Sequence, residues 1–260
     1  MQEYCEMPGG TTRMSPRGKP PSQCVSLLRE QRSDCILCPI RASALFAHLK
    51  ETDLDRRLTG VCNGILRAST VIYRQGEPAE TVFTIRSGVV KLVIEDTDSQ
   101  PRILRMLGRG SAIGLESLED RPYEQTAIAM RDLNICRIPR SALLNLGDSH
   151  PGLLSGIISK WREHLYWSDR WICSLCAGKQ AERVPSLICM IAEVSGDPLD
   201  AVCLPRSADM AEILGCSVES LSRQMAGLKR KGLLRRVGPW TYNCEPALLE
   251  GAIRPEIADS

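Results

Sequence analysis

Between Leu66 and Pro139, short runs of aliphatic and β-branched residues alternate with glycine-bearing or charged turns. The runs are Thr70–Tyr73, Thr81–Ile85, Val89–Ile94, Arg102–Leu107, Thr126–Met130 and Asn134–Ile138. Turn signals separate them at Gly76, Ser87-Gly88, Asp96–Ser99, Gly108–Gly110, Gly114 and Asp120–Pro122. Short strands at this spacing predict a small antiparallel barrel or β-roll.

The period changes after Ser149-His150. With Pro151 in its first turn, a helix is predicted to run to about Lys179. Leu154, Ile158, Trp161, Leu165, Ser168, Ile172 and Leu175 are spaced alternately four and three apart. Such a heptad seam on a long helix implies a partner helix. The competing reading packs the seam on the chain's own barrel. A further helix is predicted over 182–195, and Gly196-Asp197-Pro198 ends it.

Next come two short helices with a tight turn between them. The first runs from Ser207 to Gly215, Cys216-Ser217 forms the turn, and Val218–Lys231 is the second, closed by Gly232. Val218, Leu221, Met225 and Leu228 form its apolar face, and Ala211 allows close approach of the first helix. Leu233–Val237 and Gly238-Pro239 read as the strand and turn of a wing. The fold class is therefore α+β: a β-roll like that of cyclic-nucleotide-binding domains, a long dimerisation helix and a C-terminal winged helix-turn-helix. The expected divisions are a mobile tail (1–23), a cysteine-containing segment with the β-roll (24–148), the dimerisation helix (149–180) and the helix-turn-helix domain (181–250). The tail is rich in Pro and Gly and poor in large apolar residues, so burial cannot offset its ordering entropy. Short helices are expected over 42–62.

The chain has 260 residues, 43% hydrophobic and 25% charged, an ordinary globular mixture. No apolar run approaches the roughly 18 residues of a membrane span, and residues 1–23 lack a secretory apolar stretch. The expectation is a cytoplasmic protein without a membrane partner. The net charge of +2 is uninformative, but its distribution is not. From Leu204 to Trp240 seven basic residues face three acids, a local charge of +4, a possible nucleic-acid footprint.

The polar face of the second helix carries Glu219, Ser222 and Arg223 near its start. Glu219 and Arg223, four apart, share a side. Arginine donates two bonds to guanine O6 and N7, and a carboxylate accepts from cytosine N4, so this face suits base edges. Out of context the same pair is an ordinary solvated ion pair. Lys229, Arg230, Lys231 and Arg236 suit phosphates, which position without reading sequence.

Roll, long helix and winged helix-turn-helix, in that order, resemble the CRP/FNR family of bacterial transcription regulators over about residues 35–245. Phe83-Thr-Ile85-Arg-Ser-Gly88-Val-Val-Lys91 is similar to the family's central roll motif, and Leu107–Gly114 to its next glycine turn. Val218-Glu219-Ser-Leu-Ser222-Arg223 is similar to the FNR/FixK-like recognition helix. The resemblance implies a homodimer on double-stranded DNA, a TTGAT-type inverted repeat, RNA polymerase as a further partner, and no enzyme activity.

The family's cyclic-nucleotide site needs Gly-Glu and, after the turn, Arg-Ser or Arg-Thr. Here Leu115 follows Gly114, and Gln125 beside Glu124 takes the Arg position, so an anion would meet a carboxylate and no guanidinium; no cyclic nucleotide is expected. A 4Fe-4S cluster needs four thiolates. Cys35-Ile-Leu-Cys38 resembles the N-terminal cluster motif and Cys136 the distant ligand, but the family's next cysteine falls close to Ala44. Cys24, Cys62 or an acidic side chain is the substitute; with Cys24 the metal set is Cys24, Cys35, Cys38 and Cys136, for oxygen or redox sensing. The alternative is a FixK-like regulator without a cluster, controlled by abundance or thiol oxidation. Most of the twelve cysteines are expected to be buried free thiols, because free Cys packs as a small apolar residue. Cys173 and Cys176 are expected to pack beside Ile172 and Leu175. A remote alternative reads Cys35-x-x-Cys38 as a thiol oxidoreductase motif, without the strand-helix-strand context that motif needs.

Overall fold

A computed structural model describes residues 31–32, 34–52, 54, 60–95, 101–147, 150–176, 178–248 and 252. The expected tail and Cys24 lie outside the described residues. The strands are β1 (Gln31–Arg32), β2 (Cys62–Leu66), β3 (Val71–Tyr73), β4 (Thr81–Ser87), β5 (Val90–Ile94), β6 (Arg102–Leu107), β7 (Ala112–Ile113), β8 (Thr126–Ala129) and β9 (Leu133–Pro139). They form two antiparallel sheets, ordered β1-β2-β9-β4-β7 and β3-β8-β5-β6. Side chains of both sheets, among them Leu66, Phe83 and Ile135 from the first and Ile72, Leu92 and Leu107 from the second, make one interior. This is the expected roll. The segment 42–62 departs from the short-helix expectation at its end: Cys62 opens β2, which pairs with β9 through Cys62↔Arg137 and Asn63↔Cys136.

Five helices follow: α1 (Arg140–Gly147), α2 (Pro151–Trp171), α3 (Gln180–Ser195), α4 (Ser207–Leu214) and α5 (Val218–Arg230). Strands β10 (Val202–Cys203), β11 (Leu234–Arg236) and β12 (Thr241–Cys244) form a small sheet in the order β10-β12-β11. Its β11–β12 hairpin is the wing.

Two faces of α2 do different work. One carries Gly156, Lys160 and His164, four apart and buried. Lys160 Nζ donates to the Ser43 carbonyl (2.5 Å) and pairs with Glu163 (2.7 Å). Ser111 Oγ donates to Glu163 (2.5 Å), and His164 Nε2 lies 2.7 Å from the Ala112 carbonyl. These bonds fix α2 to the roll and to the segment after Cys38.

The other face carries the expected seam. Leu154, Ile158, Trp161, Leu165 and Ile172 are all exposed, from 39% to 64%, so the chain's own barrel does not cover them. Ser168 is half-buried and donates to the His164 carbonyl. Leu175 does not belong to the seam. The α-helix gives way to a π-helical turn over Ile172–Cys176, which rotates Leu175 inward until it is 1% exposed. The same turn exposes Cys173 and Cys176, against the expectation that they pack.

The helical half is not a separate globule. Val89, Val93, Ile103, Met106 and Met130 of the roll share one core with Leu187, Ile191, Met210, Leu214 and Leu221.

Candidate nucleic-acid interface and cysteine cavity

Ser217 caps α5 by accepting a hydrogen bond from the Ser220 amide (3.2 Å), as N-cap serines do. Leu221 is 1% exposed and anchors the helix against α4, with Ala211 3% exposed opposite. Met225 and Leu228 pack half-buried on the same core. Val218, expected on that face, is 44% exposed. The α5 axis thus has one buried edge and an outward edge.

Glu219, Ser222 and Arg223 all lie on the outward edge and are exposed. Hydrogen bonding from its own amide and from the Ser217 hydroxyl, with Arg223 nearby, holds the Glu219 carboxyl below the usual range. It is therefore an acceptor at neutral pH. Among the described residues Glu219 and Arg223 are not within 4.0 Å of each other as an ion pair, though the Arg223 charge still acts on the Glu219 carboxyl. Lys229, Arg230, Lys231 and Arg236 are exposed too. Lys229 sits 5.3 Å over the Tyr242 ring. Arg236 donates to the Gly238 (3.0 Å) and Pro239 (2.6 Å) carbonyls, and so shapes the wing turn. Trp240, 55% exposed at that turn, was not singled out from sequence; an apolar residue beside Gly-Pro gave no periodic signal.

Cys35, Cys38 and Cys136 line one cavity with Ile40, Phe46, Val61, Thr84 and Ile138. The fold brings these three together across about a hundred residues because β9 carries Cys136 under the 35–38 turn. Asp34 caps that turn by accepting from the Ile36 (2.9 Å) and Leu37 (3.0 Å) amides. Burial first, then Cys136 and Cys38, pushes the Cys35 thiol up to about 11. No group of three or more His, Cys, Asp or Glu side chains among the described residues is arranged to hold a metal ion. The three thiols share a cavity without converging as ligands.

Inside the roll, Gly114 and Leu115 turn the chain so that Glu116 faces inward, 8% exposed, with its carboxylate accepting from the Glu124 amide (3.2 Å). Burial raises its pKa. Tyr73 stacks on Tyr123 at 3.8 Å, and Tyr123 donates to the Thr81 carbonyl (2.8 Å). The expectation that an anion would meet no guanidinium here needs correction. Arg105 of β6 lies half-buried in the field of Tyr73, Glu116 and Glu124, its pKa lowered by burial. Strand alternation turns Arg105 inward, beside the Gly114 turn but from a different strand.

Residues 65–150 match the cyclic nucleotide-binding domain family. The chain is 30% identical over 89 residues to lysophospholipase nte1 of Aspergillus terreus, covering 34% of this chain but only 6% of that protein. It is 24% identical over 222 residues to the transcriptional activator protein FnrA of Stutzerimonas stutzeri, covering 84% of this chain and 91% of that one. Its fold superposes on FixK2 from Bradyrhizobium japonicum with a TM-score of 0.64 at 21% identity, over 75% of this chain and 98% of FixK2. The chain resembles the CRP/FNR family of transcription regulators and shares its fold.

Proposed function

We propose that this chain is a homodimeric, sequence-specific DNA-binding transcription regulator that reads a TTGAT-type inverted repeat and works with RNA polymerase. One observation carries the reading. Glu219, Ser222 and Arg223 stand exposed side by side at the start of a capped helix whose opposite edge is anchored by Leu221. Their donors and acceptors match guanine and cytosine edges in the major groove. Lys229, Arg230, Lys231 and the wing residue Arg236 then meet phosphates. The exposed seam of α2 pairs two copies and sets their readers about one DNA turn apart. A band-shift titration at fixed salt tests this. A duplex with the inverted repeat is expected to shift at concentrations about 10³-fold or more below a scrambled duplex. Equal affinity for both duplexes would overturn the assignment.

For the signal, we infer a redox response at the cavity of Cys35, Cys38 and Cys136. Three of the four expected thiols line this cavity, and Cys24 lies outside the described residues. A cyclic nucleotide is not part of the proposal: Leu115 and Gln125 stand where the phosphate cradle needs Glu and Arg, and the carboxylates of Glu116 and Glu124 compete for Arg105. Iron and sulfide analysis of protein prepared without oxygen decides between a bound cluster and thiols alone.

A further inference from the structure

The DNA-reading half is held to the roll at three points drawn from three different elements. Lys91 of β5 pairs with Asp209 of α4 at 2.6 Å and reaches Glu212 at 3.5 Å. Lys91 and Asp209 are only 12% and 16% exposed. Arg131, in the turn between β8 and β9, grips Asp197 with both terminal nitrogens (2.7 and 3.0 Å) and donates to the Cys203 carbonyl (3.1 Å). Asp197 also accepts from the Cys203 amide (3.0 Å), so the loop entering β10 is tied to the roll. Third, Gly108 after β6 lies against the end of α3: a Cβ there would be 1.9 Å from the Val194 carbonyl oxygen. The neighbouring Arg109 amide donates to that same oxygen (3.2 Å).

Bidentate, partly desolvated pairs of this kind fix geometry more than they add stability. These ties add directional polar contacts at the rim of the apolar core that roll and reader share. An apolar contact tolerates small rotations of one face on the other, whereas directional polar ties at its rim do not. We propose that Lys91 and Arg131 are specificity-determining residues that act at a distance: they set the half-site spacing this dimer accepts. The proposal rests on the DNA-binding reading above. In a symmetric dimer, inserting one base pair displaces and rotates one half-site relative to the other. A reader locked to the roll cannot follow that rotation, and a released one can.

The test uses the full-length protein with Lys91→Gln and Arg131→Gln combined. Duplexes carry the inverted repeat at its preferred spacing, with one or two added base pairs, or as a single half-site. For the wild type, one inserted pair is expected to weaken binding on the order of tenfold or more. For the double variant the penalty falls to about threefold or less, with single half-site affinity unchanged. A double variant that keeps the full penalty overturns the proposal. So does a wild type that is indifferent to spacing. Hydrogen exchange of the Arg109 amide reads the lock without DNA. It is expected to speed up about tenfold or more in the variant, and unchanged exchange also overturns the proposal. Failure of the wild type to bind any inverted repeat sinks the DNA-binding reading instead. Asp209→Asn, which keeps side-chain shape while removing one charge, replaces the double variant if that does not fold.

Discussion

The backbone of Gly156 in α2 presses against the carbonyl oxygen of Leu45, so that a Cβ on Gly156 would lie 2.3 Å from it. The contact places the segment that follows Cys38 along the helix whose far side carries the seam. Gly156→Ala must push that segment away, at a cost of about 1–3 kcal/mol. Gly227 in α5 is the control: a Cβ there meets nothing within 4 Å, so Gly227→Ala is expected to stabilise by roughly 0.5–1 kcal/mol. Urea unfolding of the two variants should move in opposite directions.

Leu165 and Leu175 separate the two uses of apolar residues near the seam. Leu165 is 64% exposed and Leu175 is 1% exposed. Leu165→Glu is expected to leave the fold intact and shift sedimentation from dimer to monomer. Leu175→Ala removes core packing, with a loss of about 2–5 kcal/mol and no primary effect on assembly. A monomeric wild type at micromolar concentration would refute the first expectation.

The roll and the reader were legible in sequence because both are local patterns. The β6 run Arg102–Leu107 is observed with the bounds read between its flanking turn signals, and α5 begins at Val218 after a serine cap. Three things were not legible. Leu175 fits a heptad on paper, and only the π-helical turn removes it from the seam. Arg105 sits in an apolar run where one charged residue gives no signal of which way it points. Lys91 and Asp209 lie 118 positions apart, and no local period reports such a partnership. The shared core of roll and reader was hidden for the same reason: each half supplies an amphipathic face, and sequence does not say which faces meet.

His164 gives a pH prediction. Burial, assisted by Arg105, lowers its pKa from 6.5 to about 4, and it faces the Ala112 carbonyl, Glu163, Lys160 and Arg105. The folded state therefore holds His164 neutral, while the unfolded chain takes up a proton near pH 6.5. Its contribution is fully present above pH 6.5 and is lost as pH falls toward 4. Linkage makes this roughly 2 kcal/mol between pH 7 and pH 5. His164→Gln keeps a donor for the Ala112 carbonyl and cannot titrate. Its stability should change between pH 7 and pH 5 by that much less than the wild type's, as measured by urea midpoints at the two pH values.

Arg223 and Lys231 test the division of labour on α5. Both are exposed, but they sit near opposite ends of the helix, one at the start beside Glu219 and the other just past the last turn. If Arg223 meets a guanine, Arg223→Ala costs about 1–3 kcal/mol on the cognate repeat and relaxes the preference at one base position. Its effect on a scrambled duplex should be much smaller. If Lys231 meets a phosphate, Lys231→Ala weakens every duplex about equally and reduces the salt dependence of binding by about one counterion per half-site. Titrations at several salt concentrations on cognate, single-substitution and scrambled duplexes distinguish the two. A uniform loss for Arg223→Ala would move that residue from base reading to backbone contact, and leave Glu219 and Ser222 to account for sequence preference.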